Sequence, residues 1–267
     1  DGIAMLTLLL TRYNLEEESR AIALSWRGEA YRLIGLYDKS LQDFDDAISA
    51  NVNDSWMIVS RSSTYRKLRR YKESLQDCNK AIELDSKDIK AFTSRGETYL
   101  RMKIYNEALQ DFNLAVDLDP DDTWSLASRG KAYQQMRQYK EAIRDFDRVI
   151  ELDPNDSWTL SNRGFVYRKQ GFYEKAVKDY NCAIRIDPNN ARLFASRAET
   201  YRLMKQYDQA LEDFGCAISL KPNDAWAICR RAETYLLLRQ YEKSFVDFEA
   251  AITLSPDNDW RLFTYSL

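Results

Sequence analysis

Residues 123–156 read TWSLASRGKAYQQMRQYKEAIRDFDRVIELDPND, and the chain returns to this pattern along most of its length. Apolar residues at helical spacing, among them Leu126 and Tyr133, predict a first amphipathic helix. A second apolar series around Phe146 predicts a second helix. Asp156 closes the stretch, where its carboxylate would cap the first helix of the next copy by accepting backbone amide hydrogen bonds. The stretch therefore predicts one hairpin of two helices.

The copies of this hairpin recur every 34 residues. Tyrosine occupies two positions of every copy, and all five prolines of the chain share a third position, where they would stop a helix. One hairpin of this size cannot bury its apolar faces alone, so neighbouring hairpins must stack to form a core. One tyrosine series is Tyr31, Tyr65, Tyr99, Tyr133, Tyr167, Tyr201 and Tyr235. The predicted repeats are 21–54, 55–88, 89–122, 123–156, 157–190, 191–224 and 225–258.

Short segments flank the repeats at both ends. We expect residues 1–20 to form an N-terminal helical cap or partial repeat. Residues 259–267 are expected to begin a C-terminal capping helix, since Trp260 matches the opening of a first helix. The apolar run of residues 3–10 is shorter than the roughly 20 residues that span a bilayer. Because the chain does not begin with Met, we expect it to be a piece of a longer protein.

Charge and residue types argue against several functions. The 39 basic and 42 acidic residues nearly balance, so the chain as a whole has no electrostatic attraction for nucleic acid or anionic membranes. Histidine is absent and the four cysteines lack CxxC spacing, which argues against an ordinary zinc site or a His-dependent catalytic dyad. No Gly-rich phosphate loop or paired nucleophile occurs. The sequence therefore predicts no enzyme activity, no cofactor and no metal, and reduced thiols indicate an intracellular, cytoplasmic location.

The spacing of small, aromatic and proline residues resembles the tetratricopeptide repeat (TPR) family. In the third repeat the matching residues are Gly96, Tyr99, Ala108, Phe112, Ala115 and Pro120. The resemblance covers residues 21–258 and implies an all-α, right-handed superhelical α-solenoid of helix-turn-helix repeats. Pentatricopeptide, armadillo and HEAT repeats have longer periods. The second repeat departs from the family pattern, because Ser62 and Cys78 stand where glycine and an aromatic residue are usual, and we expect looser packing there.

Two charged series run through all seven repeats. An arginine of each first helix is followed 16 residues later by an aspartate of the second helix. We predict that the two side chains meet at the seam between the helices, because a partly buried charge needs an opposite partner. A second interpretation, in which the arginines bind ligand carboxylates, stays open. The central predicted pairs are Arg95 with Asp111, Arg129 with Asp145, and Arg163 with Asp179.

The resemblance implies that the first helices line a concave groove, which in this family usually holds a peptide segment of another protein. Five of the six tryptophans share one first-helix position. They either pack over the preceding turn or present aromatic surface to a partner. Basic residues outnumber acidic ones at the groove-facing positions, which favours an acidic peptide with aromatic or aliphatic anchors. The candidate groove residues are Trp56, Lys90, Trp124, Ser128, Trp158, Asn162, Arg168, Arg192, Trp226 and Arg230.

One ligand mode of the family is not expected. Some TPR co-chaperones hold the C-terminal carboxylate of a chaperone through Lys, Asn and Arg side chains spread over three repeats. In repeats four to six only Asn162 and Arg192 match that set. The remaining positions differ, because they hold Ala127, Lys131 and Ser196. A standard carboxylate clamp is therefore not predicted.

The leading functional prediction is a non-catalytic scaffold or adaptor that binds a protein or peptide partner. The alternative is a sensor or regulatory arm of a larger signalling enzyme, such as a kinase or NTPase, whose catalytic domain lies outside this chain. Nucleic-acid binding is not expected from a net charge of -3, and membrane binding is not expected either. Nothing in the sequence indicates homo-oligomerisation.

Overall fold

A computed structural model describes residues 2–50 and 53–256. Within these ranges the regular secondary structure consists of fifteen α-helices without any strand. The chain forms two compact units, Asp1–Met136 and Arg137–Leu267. None of the described helices is long and apolar enough to cross a membrane. The predicted C-terminal capping helix, which includes Trp260, lies outside the described residues.

The first unit is a stack of helical hairpins. Its helices are α1 (Gly2–Arg12), α2 (Glu17–Leu33), α3 (Tyr37–Ser49), α4 (Ser55–Lys67), α5 (Tyr71–Leu84), α6 (Ile89–Arg101), α7 (Tyr105–Leu118) and α8 (Thr123–Gln135). α2 pairs with α3, α4 with α5, and α6 with α7, and each hairpin packs against the next. α1 packs on α2, and α8 packs on α7. The even-numbered helices α2 to α8 also contact one another in order, so they share one side of this unit.

The second unit follows the same plan. Its helices are α9 (Tyr139–Leu152), α10 (Ser157–Lys169), α11 (Tyr173–Ile186), α12 (Ala191–Leu203), α13 (Tyr207–Leu220), α14 (Ala225–Leu237) and α15 (Tyr241–Leu254). α10 pairs with α11, α12 with α13, and α14 with α15, while α10, α12 and α14 contact one another in order. We call the even-numbered helices from α2 to α14 the first helices, after their place in the repeat. The all-α hairpin stack in each unit confirms the predicted solenoid class.

Aspartate or asparagine caps six of the first helices, as predicted. The Asp156 carboxylate accepts hydrogen bonds from the backbone amides of Trp158 and Thr159 at 3.0 and 3.1 Å. These bonds satisfy amides that the helix itself cannot pair. α2 differs, because it begins after Glu16 without a side-chain cap. The capping residues are Asp54, Asp88, Asp122, Asp156, Asn190 and Asp224.

A residue with left-handed backbone lies in the turn after each first helix. Gly35 and Gly171 have φ values of 81° and 83°, which glycine adopts without steric cost. The Leu36 amide then donates to the Tyr31 carbonyl at 2.9 Å and closes the helix end. The non-glycine residues with positive φ are Arg69, Lys103, Arg137, Lys205 and Arg239. Most of these turns therefore carry no glycine that would mark them in the sequence.

Aromatic side chains of the second helices fill the core beside small residues of the first helices. Phe112 is fully buried, and a Cβ on Gly96 would lie 2.7 Å from the Phe112 ring, so glycine is needed there. Tyr180 is also fully buried, and a Cβ on Gly164 would lie 3.2 Å from its ring. The family pattern of small and aromatic residues thus corresponds to a close helix contact.

The second repeat replaces this aromatic contact with polar ones. Ser62 and Cys78 are both fully buried. The Cys78 thiol donates to Ser62 Oγ at 3.3 Å, and the hydroxyl oxygens of Ser62 and Ser94 lie 2.9 Å apart. The looser packing expected from the sequence is not evident, because hydrogen-bonded side chains occupy the place of the ring and solvent is excluded.

Candidate functional site

The arginine and aspartate series forms paired hydrogen bonds in the first unit. Arg95 donates from Nε to Asp111 Oδ2 at 2.9 Å and from Nη2 to Asp111 Oδ1 at 2.7 Å. The hydrogen bond to Asp111 raises the pKa of Arg95, although burial opposes the shift. Burial raises the pKa of Asp111, and Arg95 opposes that shift. The paired carboxylate thus causes the Arg95 shift and burial causes the Asp111 shift, as expected for two opposite charges held partly away from water.

The second unit repeats this geometry. Arg163 donates from Nε to Asp179 Oδ2 at 2.8 Å and from Nη2 to Asp179 Oδ1 at 2.7 Å. Arg129 and Asp145 belong to different units, so their predicted pairing stays a prediction. Further pairs in the second unit are Arg197 with Asp213 and Arg231 with Asp247.

A third nitrogen of these arginines reaches back to the preceding repeat. Arg95 Nη1 donates to Asn79 Oδ1 at 2.8 Å, and Arg163 Nη1 donates to Asp147 Oδ1 at 2.7 Å. The equivalent arginine of the first repeat donates to Thr7 of α1 at 3.3 Å. Sequence reasoning missed this contact, although aspartate or asparagine two residues after the paired aspartate was a visible signal. These arginines are therefore occupied within the fold and tie neighbouring repeats together.

The tryptophans of the first unit are held by neighbouring side chains. Trp56 lies against Trp26, with 4.9 Å between the ring centroids. Trp124 Nε1 donates to Glu97 Oε1 at 3.0 Å, and Ser128 Oγ donates to the same oxygen at 3.2 Å. Both candidate rings of this unit thus take part in contacts within the fold.

Glu97 is the centre of the polar groups on the first helices of this unit. Arg66 Nη2 lies 2.6 Å from Glu97 Oε2, and Arg66 Nη1 donates to Ser94 Oγ at 2.8 Å. An arginine, an indole and a hydroxyl therefore converge on one carboxylate. Lys90, the remaining candidate of this unit, is exposed. Sequence reasoning missed the role of Glu97, since the repeat pattern does not show which arginine a glutamate will meet.

The tryptophans of the second unit are more accessible. Trp158 is 50% exposed and Trp226 is 38% exposed. Asn162 Nδ2 donates to the carbonyl oxygen of Trp158 at 2.8 Å. The Arg230 guanidinium lies over the Trp226 ring, 5.6 Å from its centroid, and the Phe214 ring meets that of Trp226 at a tilt with 6.5 Å between centroids. Arg230 and Phe214 thus support the Trp226 ring, and both tryptophan side chains are partly open to solvent.

The basic candidates of the second unit differ in their partners. Arg230 Nη1 lies 2.7 Å from Glu233 Oε2. Arg168 instead lies over the Phe165 ring, 5.3 Å from its centroid, and Arg192 is exposed. Neither Arg168 nor Arg192 forms an ion pair with any residue that the structure describes. The first helices of this unit thus present positive charge without a carboxylate partner beside half-exposed aromatic rings.

The described residues contain no group of side chains that could hold a metal ion. The four cysteines are free thiols, of which Cys78 and Cys229 are buried and Cys216 is exposed. Burial raises the pKa of Cys78. Burial, with a smaller effect of Glu233, raises the pKa of Cys229 to about 12. The two buried thiols therefore stay protonated near neutral pH and are poor nucleophiles.

Several solved structures share this architecture. YrrB, described as a TPR protein with an unusual peptide-binding site, is 24% identical, with 69% of this chain and 95% of YrrB covered and a TM-score of 0.54. A tetratricopeptide repeat protein from Parabacteroides merdae is 19% identical, with 92% of this chain and 98% of its own covered and a TM-score of 0.68. A chain of the APC/C hetero-tetramer Cut9-Hcn1 is 16% identical, with a TM-score of 0.79; 98% of this chain is covered, but only 51% of that chain. At these identities the likeness shows the fold alone.

Sequence models of the tetratricopeptide repeat family match more than half of the chain. The matched residues are 124–156, 157–190 and 191–224 for one model and 57–88, 89–122 and 227–258 for a second. The comparison with curated proteins found no match. The repeat matches confirm the resemblance seen in the sequence, and the chain belongs to the tetratricopeptide repeat family.

Proposed function

We propose that this chain is a non-catalytic scaffold that binds a segment of another protein on its first helices. TPR architecture is typical of non-catalytic scaffolds, and the similar protein YrrB is described as having a peptide-binding site. One observation carries the proposal: the half-exposed rings of Trp158 and Trp226 lie in the unit whose Arg168 and Arg192 lack carboxylate partners. Exposed aromatic rings and arginines are the side chains that most often anchor protein interfaces.

The proposed binding site lies on α10, α12 and α14. We call it the second-unit surface, and its residues are Trp158, Asn162, Arg168, Arg192, Trp226 and Arg230. The indole rings offer rigid apolar area to an aromatic or aliphatic anchor. The arginines favour an acidic segment, because charge complementarity raises the association rate and disfavours basic partners.

The first unit offers a weaker candidate surface. Its proposed residues are Trp56, Lys90, Trp124 and Ser128. The Trp124 indole and the Ser128 hydroxyl already donate to Glu97. A ligand would have to displace these bonds, and a displaced buried or half-buried polar group must find a new partner. We therefore assign the main recognition role to the second-unit surface.

A display selection of random linear peptides against the full chain tests this proposal. We expect enrichment of acidic peptides that contain an aromatic or aliphatic anchor. A synthetic peptide from the selection is then titrated against a variant that carries both Trp158→Ala and Arg192→Glu. Its dissociation constant should rise about tenfold or more, because both changes remove central contacts.

A matched control separates this surface from the rest of the second unit. Phe172→Ala with Lys178→Glu makes the same kind of change, because Phe172 is 51% exposed and Lys178 is exposed on a second helix. The control should bind the peptide as the wild type does, with the fold of each variant checked by circular dichroism. Equal weakening by both variants, or no weakening by either, would refute the second-unit surface as the binding site.

A further inference from the structure

One arginine position of the repeat has a complete set of internal partners in the first unit. Arg66 of α4 lies 2.6 Å from the Glu97 carboxylate and donates to Ser94 Oγ at 2.8 Å. Its side chain is only 10% exposed. The guanidinium is therefore largely withdrawn from water and neutralised by a carboxylate from the following repeat.

The same position in the second unit lacks that carboxylate. Arg168, Ser196 and Glu199 stand three repeats after Arg66 and its two partners. Glu199 instead accepts hydrogen bonds from Arg202 Nε and Nη2, both at 2.8 Å. Leucine stands at the equivalent of Arg202 in the third repeat, as Leu100, and cannot compete for the glutamate there. Glu199 is therefore engaged on its own helix and forms no ion pair with Arg168.

A buried hydroxyl without a partner lies beside Arg168. Tyr180 is fully buried, and its hydroxyl forms no hydrogen bond with any residue that the structure describes. Arg168 Nε is also buried and lacks a hydrogen-bond partner within the same residues. Burial raises the pKa of Tyr180, while Arg168 and Ser196, both close to its hydroxyl, oppose that shift. Arg168 therefore lacks a carboxylate partner and lies beside a buried hydroxyl that is itself unsatisfied.

We propose that Arg168, with the hydroxyl of Ser196, forms a subsite for one side-chain carboxylate of an acidic protein partner. The inference rests on the proposed function and names a ligand group that the second-unit surface recognises. The first unit shows that the position accepts a carboxylate, since Glu97 fills it there. A half-buried guanidinium gains most from a charge-assisted hydrogen bond, and the Ser196 hydroxyl adds a donor.

The first test uses a defined acidic probe. A fluorescent hexaglutamate peptide with blocked termini is titrated against the full chain by fluorescence anisotropy, so that only side-chain carboxylates are present. Arg168→Leu should raise the dissociation constant about tenfold or more, because it removes a charge-assisted interaction. Arg144→Leu, on the exposed face of α9, removes the same charge from this unit and should leave the dissociation constant nearly unchanged.

A second set of variants changes whether Glu199 can pair with Arg168, while Arg168 itself is left unchanged. Arg202→Leu recreates the local sequence of the third repeat and frees Glu199, which should then occupy Arg168 and weaken probe binding. Adding Glu199→Gln to Arg202→Leu removes that internal competitor and should restore binding. Adding Glu212→Gln instead, at an exposed position, gives the same net charge but keeps Glu199, so binding should stay weak.

Three results would overturn the carboxylate subsite. They are equal weakening by Arg168→Leu and Arg144→Leu, unchanged binding in Arg202→Leu, and no measurable binding of hexaglutamate to the wild type. Displacement of the probe by inorganic phosphate at concentrations where acetate has no effect would also overturn it in favour of a phosphate ligand. If peptides from the display selection depend on Trp158 but not on Arg168, the scaffold function stands and the subsite is wrong.

Discussion

The repeats at 55–88 and 157–190 place different side chains at the same helix contact. Ser62 faces Cys78 in the former, and Gly164 faces Tyr180 in the latter. The smaller pair is joined by a hydrogen bond, whereas the tyrosine ring fills the space over glycine and leaves its hydroxyl without a partner. Both contacts stay buried, although the larger side chain is present in only one of them. The two contacts differ in which polar groups have a hydrogen-bond partner.

The repeats that follow these two also differ, because a glutamate of the first helix has a different arginine partner in each. Glu97 pairs with Arg66 of the preceding repeat, and Leu100 stands three residues after it; Glu199 pairs with Arg202, three residues after it on its own helix. An arginine of one repeat thus has or lacks a carboxylate partner according to which arginine the glutamate of the next repeat holds. The charge that a repeat presents on its surface therefore depends on the ion pairs of the neighbouring repeat as well as on the residues that line the surface.

The largest effect should appear where the two units are alike. We expect Asp77→Ala and Asp179→Ala each to lower the free energy of unfolding by about 3 kcal/mol, because each leaves a half-buried arginine without its paired carboxylate. Urea unfolding followed by circular dichroism measures both values. A loss below about 0.5 kcal/mol in either unit would show that its pair is screened by water and contributes little.

Thiol reactivity should separate the buried cysteines from the exposed one. Burial raises the pKa of Cys229 from 9.0 to about 12, so the folded thiol stays neutral while an unfolded one would ionise. Alkylation of Cys78 and Cys229 should be about a hundredfold slower than that of Cys216, measured by mass spectrometry. Folding stability should be complete below about pH 9 and decline as the pH rises towards 12. Equal alkylation rates for the three thiols would mean that the two cores open readily.

Removal of a hydroxyl from the helix contact should change the free energy of unfolding in opposite directions in the two units. Ser62→Ala should lower the free energy of unfolding by about 1 to 2 kcal/mol, because Cys78 and Ser94 lose a buried partner. Tyr180→Phe should be neutral or raise it by up to about 1 kcal/mol, since it removes a hydroxyl that lacks a partner. Thermal unfolding of both variants gives the comparison. A clear loss in Tyr180→Phe would mean that the hydroxyl is engaged within the fold.

The smallest expected effect concerns a variant of the first unit that should bind the acidic probe as the second unit does. Glu97→Gln removes the carboxylate that neutralises Arg66, so hexaglutamate should bind the first unit and the total binding should increase several-fold. Glu107→Gln, at an exposed position of α7, makes the same charge change and serves as the control. Equal increases in probe binding by the two variants would show that net charge alone causes the effect. Glu97 would then not explain the difference between the units.

Much of the fold was predictable because the sequence repeats its spacing. The tyrosine period, the Asp and Asn caps, and the arginine and aspartate series depend on residues whose position in the repeat is fixed. The left-handed turn residues were not predictable, since Lys103 and most of its equivalents are not glycine. Their conformation belongs to the turn between two packed helices, and no residue type in the local pattern marks it.

The candidate site was predictable only as a set of positions. The sequence placed tryptophans at one first-helix position but did not show that Trp158 is more open than Trp124. The choice of partner by Glu97 and Glu199 depends on competition between arginines in space. Such competition involves side chains of different helices and has no signature in the spacing of a single repeat.

Hydrogen exchange of the full chain, measured with and without a display-selected peptide, locates the surface that binds the peptide. If the second-unit surface binds the peptide, slowed exchange should be concentrated in α10, α12 and α14, the helices that carry Trp158, Arg192 and Trp226. Protection confined to α11, α13 and α15, or to the first unit, would refute the second-unit surface and place recognition elsewhere on the repeats.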